Sequence, residues 1–95
     1  MIRHIVLIRL NQAATPEAVQ QIHAALHALD APGRTSFTMG PDLGLLPGNM
    51  DVAIVTDFTD AEAFGAYDTD PAHNRIRQEM IGPVAERLER CQFEL

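Results

Sequence analysis

Ile2-Arg3-His4-Ile5-Val6-Leu7-Ile8-Arg9-Leu10 decides the fold of this 95-residue chain. The run has strand length and is rich in β-branched and aliphatic residues. Alternation puts Ile2, His4, Val6, Ile8 and Leu10 on one face and Arg3, Ile5, Leu7 and Arg9 on the other. Both faces are apolar at the middle, so the strand must be covered on two sides. Val52 to Phe58 repeats the pattern, with Ala53 and Val55 set against Val52 and Ile54. Two such strands belong at the centre of a sheet. Helices can cover one face, and something else must cover the other.

Working outward, Thr15-Pro16-Glu17 is a helix start: a capping hydroxyl, a proline at the first helical position and an acid favoured by the dipole. Val19, Ile22, Leu26 and Leu29 follow as one apolar stripe, stopped by Asp30-Ala31-Pro32-Gly33. Thr35 to Met39 reads as a short strand, and the loop after it holds Leu43, Leu45 and Leu46 among turn residues. Thr59-Asp60-Ala61-Glu62 is a capping box that opens a second helix, with Phe64 and Tyr67 on its inner face. Asp70-Pro71 restarts that helix, and Ile76, Met80, Val84 and Leu88 repeat every fourth residue through a kink at Gly82-Pro83. Cys91, Phe93 and Leu95 alternate in a closing strand. The order βαββαβ predicts an α+β, ferredoxin-like plait: a four-stranded antiparallel sheet with helices on one face. A second copy of the sheet would cover the bare face and make a dimeric α/β barrel.

Composition narrows the function. Residues 1–95 read as one domain with no repeat or linker. A domain this small buries only about 60–65% of its unfolded surface, which favours association. The net charge is −6 and all seven basic residues are arginine. An acidic chain without a basic stripe argues against nucleic acid. The missing lysine excludes Schiff-base chemistry and a P-loop. Cys91 is the single cysteine and is expected in the core. No transmembrane run or signal peptide is present, so no membrane partner and a cytoplasmic location are expected. His23 and His27 stand four apart on the first helix with no carboxylate between them, and read as surface histidines rather than metal ligands. No metal and no cofactor are expected.

With these elements placed, the chain resembles the stress-responsive A/B barrel family of small dimeric α+β barrels. The matching pieces are Met1-Ile2-Arg3-His4-Ile5-Val6-Leu7, Gly40-Pro41-Asp42-Leu43-Gly44-Leu45, Asp57-Phe58, Ala66-Tyr67 and Asp70-Pro71-Ala72-His73. The family includes plant stress proteins and a plant polyketide cyclase that closes a poly-β-ketone by aldol condensation. The resemblance implies a working tyrosine and histidine at Tyr67 and His73, with His4 near the same cavity. Two departures stand out: Asp70 where the family often has histidine, and Gln92 where it often has aspartate.

An aldol cyclisation needs a base for a proton α to a carbonyl and a donor for the enolate oxygen. His73 suits the first task and Tyr67 the second. The dipole of the restarted helix would keep His73 neutral. His4 and Phe64 are the candidate substrate-binding residues for a small organic ligand held between helices and sheet; the other reading of His4 is a buried histidine whose hydrogen bonds are satisfied within the fold. The alternative is a non-catalytic dimeric binding or stress-response module, in which Tyr67 and His73 only pack and hydrogen-bond where the helix breaks. A cavity of about 300 Å³ or more, with both polar tips in it, would separate the two.

Overall fold

The computed structural model describes residues 1–95. Its sheet contains β1 (Ile2–Leu10), β2 (Arg34–Pro41), β3 (Val52–Phe58) and β4 (Ala85–Glu94). The strands are antiparallel in the order β2-β3-β1-β4, so the two most apolar strands are indeed central. Three helices, α1 (Pro16–Ala28), α2 (Ala61–Asp68) and α3 (Pro71–Ile76), complete a ferredoxin-like α+β fold.

Helix starts follow side-chain chemistry. The Thr15 hydroxyl accepts from the Ala18 amide at 3.1 Å, and Asp70 caps α3 by accepting from His73 N–H at 3.0 Å. The cap of α2 is Asp60, which accepts from Ala63 N–H at 2.8 Å, rather than Thr59 of the expected capping box. Thr59 is held instead by its own amide, which donates to the Gly33 carbonyl at 2.9 Å. Gly33 has φ +86°, and a Cβ there would lie 2.5 Å from Ala63 Cβ, so α2 packs directly on this turn. Arg34 closes α1 from the next strand by donating to the Leu26 and His27 carbonyls at 2.8 and 3.0 Å.

The register sorts every strand residue to a face. Phe37, Thr56, His4 and Gln92 form one row across the helix side, and Met39, Ile54, Val6 and Arg90 form the next. Val6, Ile8, Ile54, Ile22, Leu26 and Ile76 anchor the core between sheet and helices. On the other side, Thr38, Val55, Ile5 and Cys91 form a row, with Gly40, Ala53, Leu7 and Glu89 beside it. One corner of this bare face is polar: the Arg3 guanidinium donates to both Asp57 oxygens at 2.9 Å, and Ser36 Oγ donates to Asp57 at 3.0 Å. The Arg3 hydrogen bonds hold the Asp57 carboxyl below its usual range.

Three sequence expectations are corrected. The four-residue repeat does not continue as a helix to Leu88. After α3 the chain widens into a π-helical turn at Arg77–Ile81, tightens to a 3₁₀ turn at Gly82–Val84, and enters β4 at Ala85. Pro83 has no amide to donate, which ends the helical ladder, and Leu88 reaches the same core from the strand opposite Ile8. β2 runs from Arg34 to Pro41, longer than Thr35–Met39. Cys91 is exposed rather than buried, because strand alternation places it beside Ile5 on the bare face. No helix is long and apolar enough to cross a membrane.

Candidate functional site

The residues singled out from sequence meet at one end of the helix–sheet interface. Tyr67 closes the inner face of α2, and the Asp70 cap turns the chain so that His73 folds back over it. Their rings stack with centroids 4.0 Å apart and planes 27° apart. Phe58 lies 5.0 Å from the Tyr67 ring and 5.7 Å from Phe64, and Phe64 lies 4.9 Å from the His4 ring. His4, Phe64, Tyr67 and His73 are thus one aromatic cluster. His4 and His73 are each only 6% exposed.

A cavity of about 50 Å³ lies beside this cluster, with His4, Thr56, Tyr67, Asp68, His73, Arg77 and Arg90 as its polar lining and core aliphatics as the rest. It has room for about three to five water-sized groups. That is well below the 300 Å³ set out above, so it can take the head of a molecule and not the whole of a drug-sized one. Phe64 backs His4 but does not line it. A cleft of about 420 Å³ lies at the other end of α1, against Leu10, Val19 and Met39, and contains neither Tyr67 nor His73.

Hydrogen bonds fix what each ring presents. His73 Nδ1 is 2.9 Å from the Tyr67 carbonyl oxygen. A carbonyl only accepts, so Nδ1 carries the proton and Nε2 keeps a free lone pair. Burial lowers the His73 pKa, helped by Arg77 and opposed by the Tyr67 carbonyl and by Asp68 and Asp70. The neutral form therefore follows from burial more than from the helix dipole, and α3 is only six residues long. Burial, with His73, Arg90 and Arg77 adding to it and Asp68 opposing, takes His4 from 6.5 to about 4. Burial also raises Tyr67, against the pull of Arg34 and Arg77.

Sequence reasoning missed three lining residues. From sequence, Arg77 reads either as part of a solvated helix face or as a salt-bridge partner for an acid, and the second holds. It turns inward where the helix widens, pairs with Asp68 at 3.2 Å, and donates to the Asp68 carbonyl and to Asn74 Oδ1. Nothing local in the sequence announces that turn. Thr56 is fully buried and its hydroxyl has no partner in the protein, nor has Arg77 Nε. Thr56 was within reach of sequence reasoning, since alternation along β3 places it with Ile54 on the helix side. Arg90 follows once β4 is extended. His23 and His27 are exposed and lean on Phe37, with ring centroids 5.6 and 6.0 Å away.

The sequence profile of the Stress responsive A/B Barrel Domain matches residues 2–94. The chain belongs to that family. Among solved structures, this A/B barrel domain is similar to a dimeric ferredoxin-like protein of unknown function from Thermobifida fusca. Identity is 38% over 99% of this chain and 90% of that one, with a TM-score of 0.89. A dimeric ferredoxin-like protein of unknown function from Jannaschia sp. CCS1 is 21% identical, with 99% and 98% coverage and a TM-score of 0.85. Hydroxynitrile lyase from Passiflora edulis is 22% identical, with 99% and 92% coverage and a TM-score of 0.85, a likeness of fold. No curated protein matches the chain.

Proposed function

We propose that this A/B barrel domain is a homodimer, joined through the bare sheet face, that binds the head of a small organic molecule beside Tyr67 and His73. Its chemistry is cofactor-free acid–base catalysis of the cyclase or lyase type, on a carbonyl compound with an acidic α carbon. The observation that carries this reading is the Nδ1–H bond from His73 to the Tyr67 carbonyl, which leaves a neutral, buried base facing the cavity. Tyr67 covers that base with its ring face. Dimeric relatives of the same fold support the assembly.

A second reading has its own support. The cavity is small, and the same His73 bond ties the chain where α2 ends, as a purely structural histidine would. Proton NMR of methyl acetoacetate in D2O separates the two. Wild type should speed α-deuterium uptake above the buffer rate. His73→Ala should abolish that acceleration with little change in melting temperature, and Tyr67→Phe should lower it while retaining binding. A His73→Ala protein that loses several degrees of stability, beside a wild type without exchange activity, establishes the binding-module reading instead.

A further inference from the structure

His4 and His73 face one cavity but are wired oppositely. Gln92 Nε2 sits 2.9 Å from His4 Nδ1, reaching across from the neighbouring strand at the register position opposite His4. An amide nitrogen has hydrogens and no lone pair to offer, so Nδ1 must accept and the ring proton moves to Nε2. His73 is the reverse, with Nδ1 donating and Nε2 bare. We infer that Gln92 is a positioning residue that sets His4 as the Nε2–H tautomer, and that His4 supplies the hydrogen bond to an oxygen that becomes negative in the bound molecule.

The surroundings agree with an oxygen-bearing head of that kind. Thr56 is paired with His4 in register, and its hydroxyl is unpartnered and fully buried. The Arg77 Nε–H is also unpartnered, and Arg90 and Asp68 complete the polar lining, Asp68 being paired with Arg77 at 3.2 Å. With the Asp68 carboxylate taken up by Arg77, unpaired donors outnumber unpaired acceptors in the cavity, and the free base is the His73 nitrogen. A buried group without a partner is costly, so an occupant that accepts from His4, Thr56 and Arg77 is favoured over an apolar one. Tyr67 also lines the cavity, but its ring lies flat on His73, which makes it a secondary donor beside His4.

The inference deepens the acid–base reading and rests on it for the reaction. His73 Nε2 takes the proton from the α carbon. The C–H pair becomes the new C=C bond, and the carbonyl π pair moves to oxygen. The enolate oxygen then accepts from His4 Nε2–H, and the proton held by His73 returns to the product. His4 gains and loses no proton in this sequence. A neutral imidazole that only donates is suited to that, since it stabilises the oxygen without competing for the α proton.

The tautomer is read directly by ¹⁵N–¹H correlation spectra of uniformly labelled protein near pH 7, with His4→Gln assigning the ring. The expected pattern is a bare Nδ1 and a protonated Nε2 for His4, and the opposite for His73. Gln92→Glu puts an acceptor of the same shape on Nδ1 and should invert His4 alone. Acetate, whose oxygen stands in for the enolate, should shift the His4 Nε2–H resonance in wild type and have no such effect in Gln92→Glu. The α-exchange rate of methyl acetoacetate should fall about 100-fold in Gln92→Glu, the loss typical of one oxyanion donor. A protonated Nδ1 on His4 in wild type, or equal acetate responses in both proteins, would overturn the assignment. These spectra do not depend on turnover. An inactive wild type with the expected tautomers removes the base role of His73 and the reaction built on it, while Gln92 keeps its positioning role and His4 its donor role toward a bound oxygen.

Discussion

The two faces of β1 carry similar residues and meet different fates. Val6 and Ile8 are buried under α1 and α3, whereas Ile5 and Leu7, on the reverse, have no cover within the chain. Leu7 is 37% exposed and Phe93, two rows along, is 45% exposed. The helix side answers its apolar demand internally and has enough left over to bury two histidines. The bare side carries the same demand outward at its centre, with polar groups toward its margins: the Arg3–Asp57–Ser36 corner and the Arg87–Glu89 pair on β4. One face makes the fold and the site; the other makes the case for a second copy.

The largest effect expected from breaking this contrast is on the covered face. Leu26 is 2% exposed, and Leu26→Ala should cost about 3 kcal/mol from lost burial and the cavity left behind. For a domain of this size that lowers the thermal midpoint by roughly 12–24 °C, measurable by calorimetry. The uncovered face should respond differently. Leu7→Asp puts a charge where the partner sheet is proposed to lie, at a cost too large for association to bear. Light scattering should then report a monomer, with far-ultraviolet circular dichroism largely retained. Cys91 gives the complementary reading, since it shares the bare face. Its thiol should react slowly with a disulfide reagent in wild type and fast in Leu7→Asp. Equal rates would place the interface elsewhere.

How much of this was legible in the sequence depends on the distance over which each feature is decided. The α1 start is written in Thr15-Pro16-Glu17, and the α3 start in Asp70-Pro71, because a cap and its helix are neighbours. The order of strands followed from which runs were apolar on both faces. The passage from helix to β4 was obscured because Val84 at the end of a helix and Leu88 inside a strand both point into the same core. A period of four fits either geometry. The cluster of Tyr67 and His73 was legible from a local break, whereas the bond between His4 and Gln92 joins residues 88 positions apart. Only the register of β1 on β4 brings it about. Arg77 was legible as an ion-pair partner but not as a lining residue, since its inward turn depends on the widening at Arg77–Ile81.

The two buried histidines give a pH test of the covered face. Folding lowers the His4 pKa from 6.5 to about 4, with burial the largest cause, and lowers that of His73 in the same direction. The unfolded chain therefore binds protons more readily than the native one between those values. Stability is full above pH 6.5 and is lost as pH falls from 6.5 towards 4. Thermal midpoints across that range should fall more steeply for wild type than for His4→Gln, which has no ring to charge. Carboxylates titrate alike in both proteins, so the difference in slope isolates His4. Parallel slopes would mean that His4 takes up its proton as readily in the native state as in the unfolded chain, and that burial does not hold its ring neutral.

The smallest effect should come from the loop between β2 and β3. Leu43, Leu45 and Leu46 are between 68% and 81% exposed, so none is folded back on the core. The loop owes its shape to polar contacts. Asp42 accepts from the Gly44 amide at 2.9 Å and from Asn49 Nδ2 at 3.1 Å, and Arg9 donates to the Asn49 carbonyl at 2.9 Å. Gly44 and Gly48 adopt positive φ where other residues would be strained. The leucines are therefore free of any duty within the protomer. Leu43 and Leu45 adjoin Leu7 and Ala53 of the bare face across one shallow depression, which makes the loop an extension of the same surface. Leu45→Ser with Leu46→Ser should leave the unfolding free energy of the protomer within about 0.5 kcal/mol, as for surface changes generally. Dimer association should weaken by about 100-fold or more, since each leucine buried at an interface contributes about 1.5–3 kcal/mol. Sedimentation equilibrium on the double variant measures this. An unchanged association constant would limit the second copy's footprint to the strands and leave the leucine loop outside it.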